Sequence, residues 1–162
     1  MAIDAEPAPI LRPAVTVATV VEREGRFLYV EERIRGELVI NQPAGHLDPG
    51  ESLVDAAIRE TLEETAWQVQ PQALVAVYQW RNPIDNGDVV RFTFAAAALA
   101  ELPGRALDAG IERAVWLDRE ELIAQAGRLR SPLVLRSLDD YLAGIRIPLS
   151  ALQVVEPAAR RR

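Results

Sequence analysis

Ala14 to Val21 (AVTVATVV) is apolar and β-branched at almost every position, the pattern of a buried strand. Glu24-Gly25 turns it into a second strand, Arg26 to Glu31. Glu37 to Ile40 is a short extended piece, and Asn41 to Gly50 (NQPAGHLDPG), with two Pro and two Gly, is a loop. From Ser52 to Trp67 the period changes to that of a helix, with Ser52 as its cap and Asp55 three residues on to close a capping box. Ala73 to Trp80 and Val89 to Leu99 are strand-like runs separated by Asn82-Pro83 and Asn86-Gly87 turn signals; the Ala cluster ending the second also suits a helix. Ala114 to Leu117 is a short strand. Asp118, with Glu121 three residues on, caps a helix to about Ala126. Ser131-Pro132 opens a last helix through Leu142, Ser as cap and Pro in the first turn. The alternation predicts an α/β sandwich, helices around a mixed sheet.

The 162 residues fit one domain, taken as 1–162, with 1–13 and 156–162 read as frayed ends. With no Cys, a disulfide framework, a zinc–thiolate site and a cysteine nucleophile are excluded. The single His, His46, excludes a His-triad metal site. The first residues lack the basic and apolar regions of a secretory signal, and no stretch is long and apolar enough for a transmembrane helix. The expected setting is the cytoplasm, without a membrane partner.

Net charge is −6, and all 18 basic residues are Arg. An acidic chain is a poor binder of nucleic-acid polymers. Phosphate handling would fall to Arg, backbone N–H groups or a bound cation.

The helix after the Pro- and Gly-rich loop carries the chemistry. At about 100° per residue, Val54, Ile58, Leu62 and neighbouring Thr61 share one arc, and Glu60, Glu63 and Glu64 share the opposite one beside Ala56 and Ala57. The bulky arc is the expected core face. Glu60 stands at i,i+3 and i,i+4 spacing from Glu63 and Glu64, in the half of the helix where the dipole disfavours anions. Arg59, the only cation within the helix, does not balance three carboxylates. Two readings stay open: a solvated acidic face, or a site for a hard divalent cation, Mg²⁺ or Mn²⁺.

The stretch Gly45 to Trp67 resembles the Nudix box, G-x5-E-x7-R-E-U-x-E-E-x-G-U with U bulky and apolar. Gly45, Glu51, Arg59, Glu60, Glu63, Glu64 and Trp67 fall on it; Thr61 stands where an aliphatic residue is usual and Ala66 where Gly is usual. The resemblance implies a Nudix fold, α/β/α around a mixed sheet with the box as loop-helix-loop. It also implies Mg²⁺-dependent hydrolysis of a phosphoanhydride by in-line attack of an activated water. Glu60 and Glu64 would be metal ligands, and Glu63 a third ligand or the holder of a coordinated water. The Gly45 carbonyl would complete the shell, and Glu51 would pair with Arg59 to orient the ligand face. The proton-accepting base would be Glu63, Glu60 or a distal acid, Asp108 or Glu112. Glu112 is favoured because it lies four residues before Trp116.

Asn41 to Leu47, Gln79-Trp80, the run around Arg91-Phe92 and Leu129 to Val134 are similar to the NudJ-type branch of that family. The branch is associated with removing terminal phosphate from nucleoside tri- and diphosphates and from hydroxymethylpyrimidine pyrophosphate. Trp80 could stack on a base, and Gln42 could hydrogen-bond the substrate. Arg33, Arg35, Arg81 and Arg91 are phosphate-clamp candidates, since guanidinium grips phosphate bidentately. A core Trp, turn packing for Gln42 and surface roles for the Arg residues are the alternatives. Two other functions compete: an ADP-ribose or nucleotide-sugar pyrophosphohydrolase, and a non-catalytic ligand-binding regulatory module. The expected partner is a small-molecule phosphoanhydride, met by a monomer or homodimer.

Overall fold

The computed structural model describes residues 10–84 and 86–155. The expectation of frayed ends at 1–9 and 156–162 lies outside the described residues; 10–13 have no regular structure. The strands are β1 (Ala14–Arg23), β2 (Arg26–Ile34), β3 (Glu37–Asn41), β4 (Ala44–His46), β5 (Trp67–Arg81), β6 (Asp88–Glu101) and β7 (Ile111–Leu117). The helices are α1 (Leu53–Thr65), α2 (Arg119–Ala124) and α3 (Leu133–Leu142).

The seven strands form one mixed sheet with central order β3-β2-β1-β6-β5. β1 runs parallel to β6 from Ala14↔Val89 to Glu22↔Ala97, and the other pairings are antiparallel. The second edge of β1 is shared: its end turns into β2, and its start pairs with β4 through Val17↔Gly45. Alternation along β1 sends Val17 against Ala56 and Ala57 of α1, and Val20 against Val134 and Leu138 of α3. The sheet is thus covered on both faces, as expected of an α/β sandwich.

Several local expectations need correction. The Ala cluster of β6 is strand, its whole length paired with β5, whose ladder begins at Trp67. The loop before α1 contains β4, three residues whose strand pairing is with β1, nearly thirty positions away in sequence. Ser52 does cap α1, accepting the Asp55 N–H at 3.1 Å. The Asp55 carboxylate meets the Ser52 hydroxyl at 2.6 Å instead of its backbone N–H, so no reciprocal box forms. At α2 the Asp118–Glu121 box is complete. Ser131 does not cap α3: Pro132 occupies that place and the buried Ser131 Oγ has no protein partner.

The largest correction concerns α1. Its buried residues are Ala56, Ala57, Thr61, Glu64 and Thr65, while Val54, Ile58 and Leu62 are only half-buried. The small side chains let the helix lie close to the sheet, and this turns the acid-bearing arc inward. Thr61 departs from an aliphatic residue but is matched: its Oγ1 lies 2.8 Å from that of Thr19 on β1 and donates to Ala57 O at 2.7 Å. Ala66 adopts the left-handed geometry usually given to Gly, φ 60° and ψ 14°, and its N–H closes the helix on Leu62 O. That geometry costs a non-glycine residue roughly 1 kcal/mol.

Candidate active site

Arg59 is the hub of the acid arc. Its Nε and Nη2 grip Glu51 at 2.8 and 2.9 Å, its Nη1 holds Glu60 at 2.7 Å and Glu63 at 3.1 Å, and Nη2 also donates to His46 O at 3.0 Å. One guanidinium thus balances more of the arc than its single charge suggested. The Arg59 contact holds the Glu51 carboxyl below its ordinary range. Glu60 moves the other way, because burial outweighs its Arg59 contact.

Glu64 lies deepest. It accepts the Ala44 N–H at 2.9 Å and has no guanidinium partner. Burial pushes its carboxyl up to about 8, and the charges of Glu32, Glu60 and Asp108 add to the rise. Asp108 reaches this group because its N–H bonds to Glu63 O at 3.0 Å. Gly45 completes the arrangement: a Cβ there would land on the Glu60 carboxyl, so only a bare backbone admits that carboxylate against β4.

Beside β4, whose Ala44, Gly45 and His46 are part of its lining, a cleft of about 330 Å³ opens over the sheet. Thr16, Trp80, Val89 and Arg91 form its floor, Glu32 and Asn41 one wall, Arg130 and Ser131 another. An apolar cavity of about 370 Å³ adjoins it, sharing Trp80, Asn82, Arg130 and Ser131 and extended by Ile84, Leu129 and Leu135. The wall is pinned from behind: buried Glu31 takes Arg113 at 2.6 Å and Arg128 at 2.8 Å, and Arg130 N–H bonds to Ile40 O.

The structure therefore gathers Glu51, Arg59, Glu60, Glu63 and Glu64 beside Gly45 of β4, and sets Trp80 and Arg91 in the adjoining cleft, whose lining Gly45 shares. The remaining candidates are elsewhere. Glu112 and Arg33 pair with each other at 2.7 Å on the exposed surface, because their positions on β7 and β2 point away from the cleft. Asp108 is the distal acid that reaches the arc. Arg81 is exposed and paired with Asp88 at 3.1 Å. Gln42 is buried, donates to Val134 O at 2.8 Å and does not line the cleft, the packing role that was its alternative. Arg35 occupies the β2–β3 turn at φ 50°. Sequence reasoning did not single out Glu32, and it met Arg130 only within the Leu129 to Val134 run, with no role of its own; the tertiary fold brings β2 against the chain before α3.

Residues 10–137 match the family model of the NUDIX domain. The chain belongs to the Nudix family. It is 45% identical over 143 residues to Phosphatase NudJ of Escherichia coli K12, covering 88% of this chain and 92% of that protein, and equally to the Shigella flexneri protein of that name. A solved Nudix hydrolase from Nitrosomonas europaea superposes with a TM-score of 0.87 at 43% identity, over 89% of this chain and 98% of that one. The protein is thus a Nudix enzyme acting on phosphoanhydrides, a family that generally uses a divalent metal.

The residues present fit such an ion. Glu60, Glu63, Glu64 and the Gly45 carbonyl are all hard oxygen donors, and the buried, mutually repelling carboxylates of Glu60 and Glu64 lack a cation of matching charge. Among the described residues no three acidic or His side chains are already gathered around one point; Arg59 holds Glu60 and Glu63 instead. Arg59→Ala removes the tie that sets Glu51, Glu60 and Glu63 relative to one another. The expected result in this Nudix enzyme is a fall in kcat of about 10–100-fold, the usual cost of losing a group that orients metal ligands. Steady-state kinetics at saturating divalent ion would check it, and an unchanged kcat would refute the positioning role.

Proposed function

We propose that the protein is a Mg²⁺-dependent phosphatase of the NudJ type. It would release terminal phosphate from nucleoside tri- and diphosphates and from hydroxymethylpyrimidine pyrophosphate. The observation that carries the reading is the 45% identity spanning 92% of a relative named a phosphatase. The flanking positions support it: Trp80 offers a broad aromatic face where the polar cleft meets the apolar cavity, suited to stacking a pyrimidine or nucleobase.

Glu60, Glu64, Glu63 and the Gly45 carbonyl would hold Mg²⁺, with Mn²⁺ able to replace it on the same oxygen donors. The bound ion would neutralise charge on the phosphate oxygens and acidify water. Glu51 and Arg59 keep the ligand arc in register. Glu63, the more exposed of the arc's carboxylates, would take the proton, with Glu60 or Asp108 as the alternative acceptor. The enzyme would act on small molecules in the cytoplasm, as a monomer or homodimer.

Product analysis tests the reading. The purified protein is incubated with Mg²⁺ and hydroxymethylpyrimidine pyrophosphate, nucleoside di- and triphosphates or ADP-ribose, with an EDTA blank. Orthophosphate from the first two groups is expected. AMP and ribose phosphate from ADP-ribose alone would replace the proposal with a pyrophosphohydrolase.

A further inference from the structure

Arg91 is placed at a cost that the fold does not recover. It extends from the central strand β6 into the floor of the cleft, and its Nη1 is shut from solvent with no hydrogen-bond partner. Its Nε reaches Thr16 Oγ1 at a long 3.4 Å. Burial and the nearby Arg130 charge depress its pKa to about 10 despite Glu32 and Glu64. A buried guanidinium with an unmade donor destabilises a protein unless something outside the chain completes it. Arg130 faces the same cleft, held only loosely by Glu32 at 3.8 Å. Glu32 is itself desolvated, keeping Asn41 Nδ2 at 3.3 Å, so its carboxylate serves both guanidinium groups and satisfies neither.

We propose that Arg91 and Arg130 form a seat for a doubly charged terminal phosphate, and that Glu32 is the resident counter-ion this phosphate displaces. The proposal rests on the reading of the protein as a phosphatase. Two guanidinium groups facing one cleft match a dianion. A phosphodiester, with one charge and two substituted oxygens, leaves one of them unpaired. The seat would therefore favour substrates that end in a free phosphate over those whose phosphates are all bridged.

The test needs no turnover. Binding of inorganic phosphate and of dimethyl phosphate is measured by calorimetry in EDTA at constant ionic strength, alongside the melting temperature of each variant. Wild type should bind inorganic phosphate and not dimethyl phosphate. Arg91→Met and Arg130→Met should each weaken phosphate at least about tenfold, the scale of one charged hydrogen bond. Glu32→Gln should tighten phosphate several-fold. Equal phosphate binding by wild type and Arg91→Met, or equal binding of the two anions, would overturn the seat. Unchanged affinity in Glu32→Gln would overturn the counter-ion role. Failure of the phosphatase reading would show separately, in the product panel.

Discussion

Glu64→Gln is expected to cost about 10³-fold or more in divalent-dependent turnover while making the metal-free protein more stable at neutral to alkaline pH. Turnover falls because the amide keeps the shape and the Ala44 contact but loses the charge that a hard cation needs, an interaction worth several kcal/mol. The stability gain follows from linkage. The folded-state pKa of Glu64 is about 8, above its ordinary 4.5, so between those values the folded chain binds more protons than the unfolded one. Glu64 therefore withdraws stability as pH rises from about 4.5 to about 8, in total roughly a few kcal/mol at about 1.4 kcal/mol per unit. Glutamine does not titrate. Melting curves in EDTA from pH 5 to 9 should show wild type falling below Glu64→Gln as pH rises, with Mg²⁺ restoring wild type alone at pH 8. Parallel curves, or retained turnover, would remove Glu64 from the ligand set.

Gly45→Ala should separate activity from folding in another way. Gly45 does not have a positive φ, so alanine brings no backbone strain. Its Cβ meets only the far end of the Glu60 side chain. That carboxylate can swing away at little cost to the fold, but it then leaves the position beside β4. A melting temperature within a few degrees of wild type and a kcat reduced about 10²-fold or more are expected, since small misplacements of reacting groups are costly. A near-normal kcat would show that Glu60 acts from somewhere else.

Most strands were legible because β-branched runs survive in any context, and α1 because its cap and period are local. The buried side of α1 was not. Judged by bulk, Val54, Ile58 and Leu62 should be core, yet Ala56 and Ala57 are, since close approach to the sheet rewards small residues over large ones. β4 was invisible because the strand it pairs with is distant in sequence. For the site, the box residues carried a fixed local spacing and could be read. The cleft is assembled from β1, β2, β6 and the chain before α3, so nothing local marked Glu32 or told Arg130 apart within its run. Glu112 was favoured over Asp108 by its offset from Trp116. The fold brings the Asp108 backbone to the end of α1, where its N–H bonds to Glu63 O, and pairs Glu112 with Arg33.

The hydroxyl pair that joins Thr61 to Thr19 binds the histories of two distant codons. Changing Thr61 alone to an aliphatic residue would leave the Thr19 hydroxyl buried with nothing to bond, at about 1–3 kcal/mol, whereas changing both together would cost far less. A descendant of this chain can return to the aliphatic form of the helix only by crossing that deficit or by altering the strand in the same step. The two threonines should accordingly be inherited, and lost, as a unit.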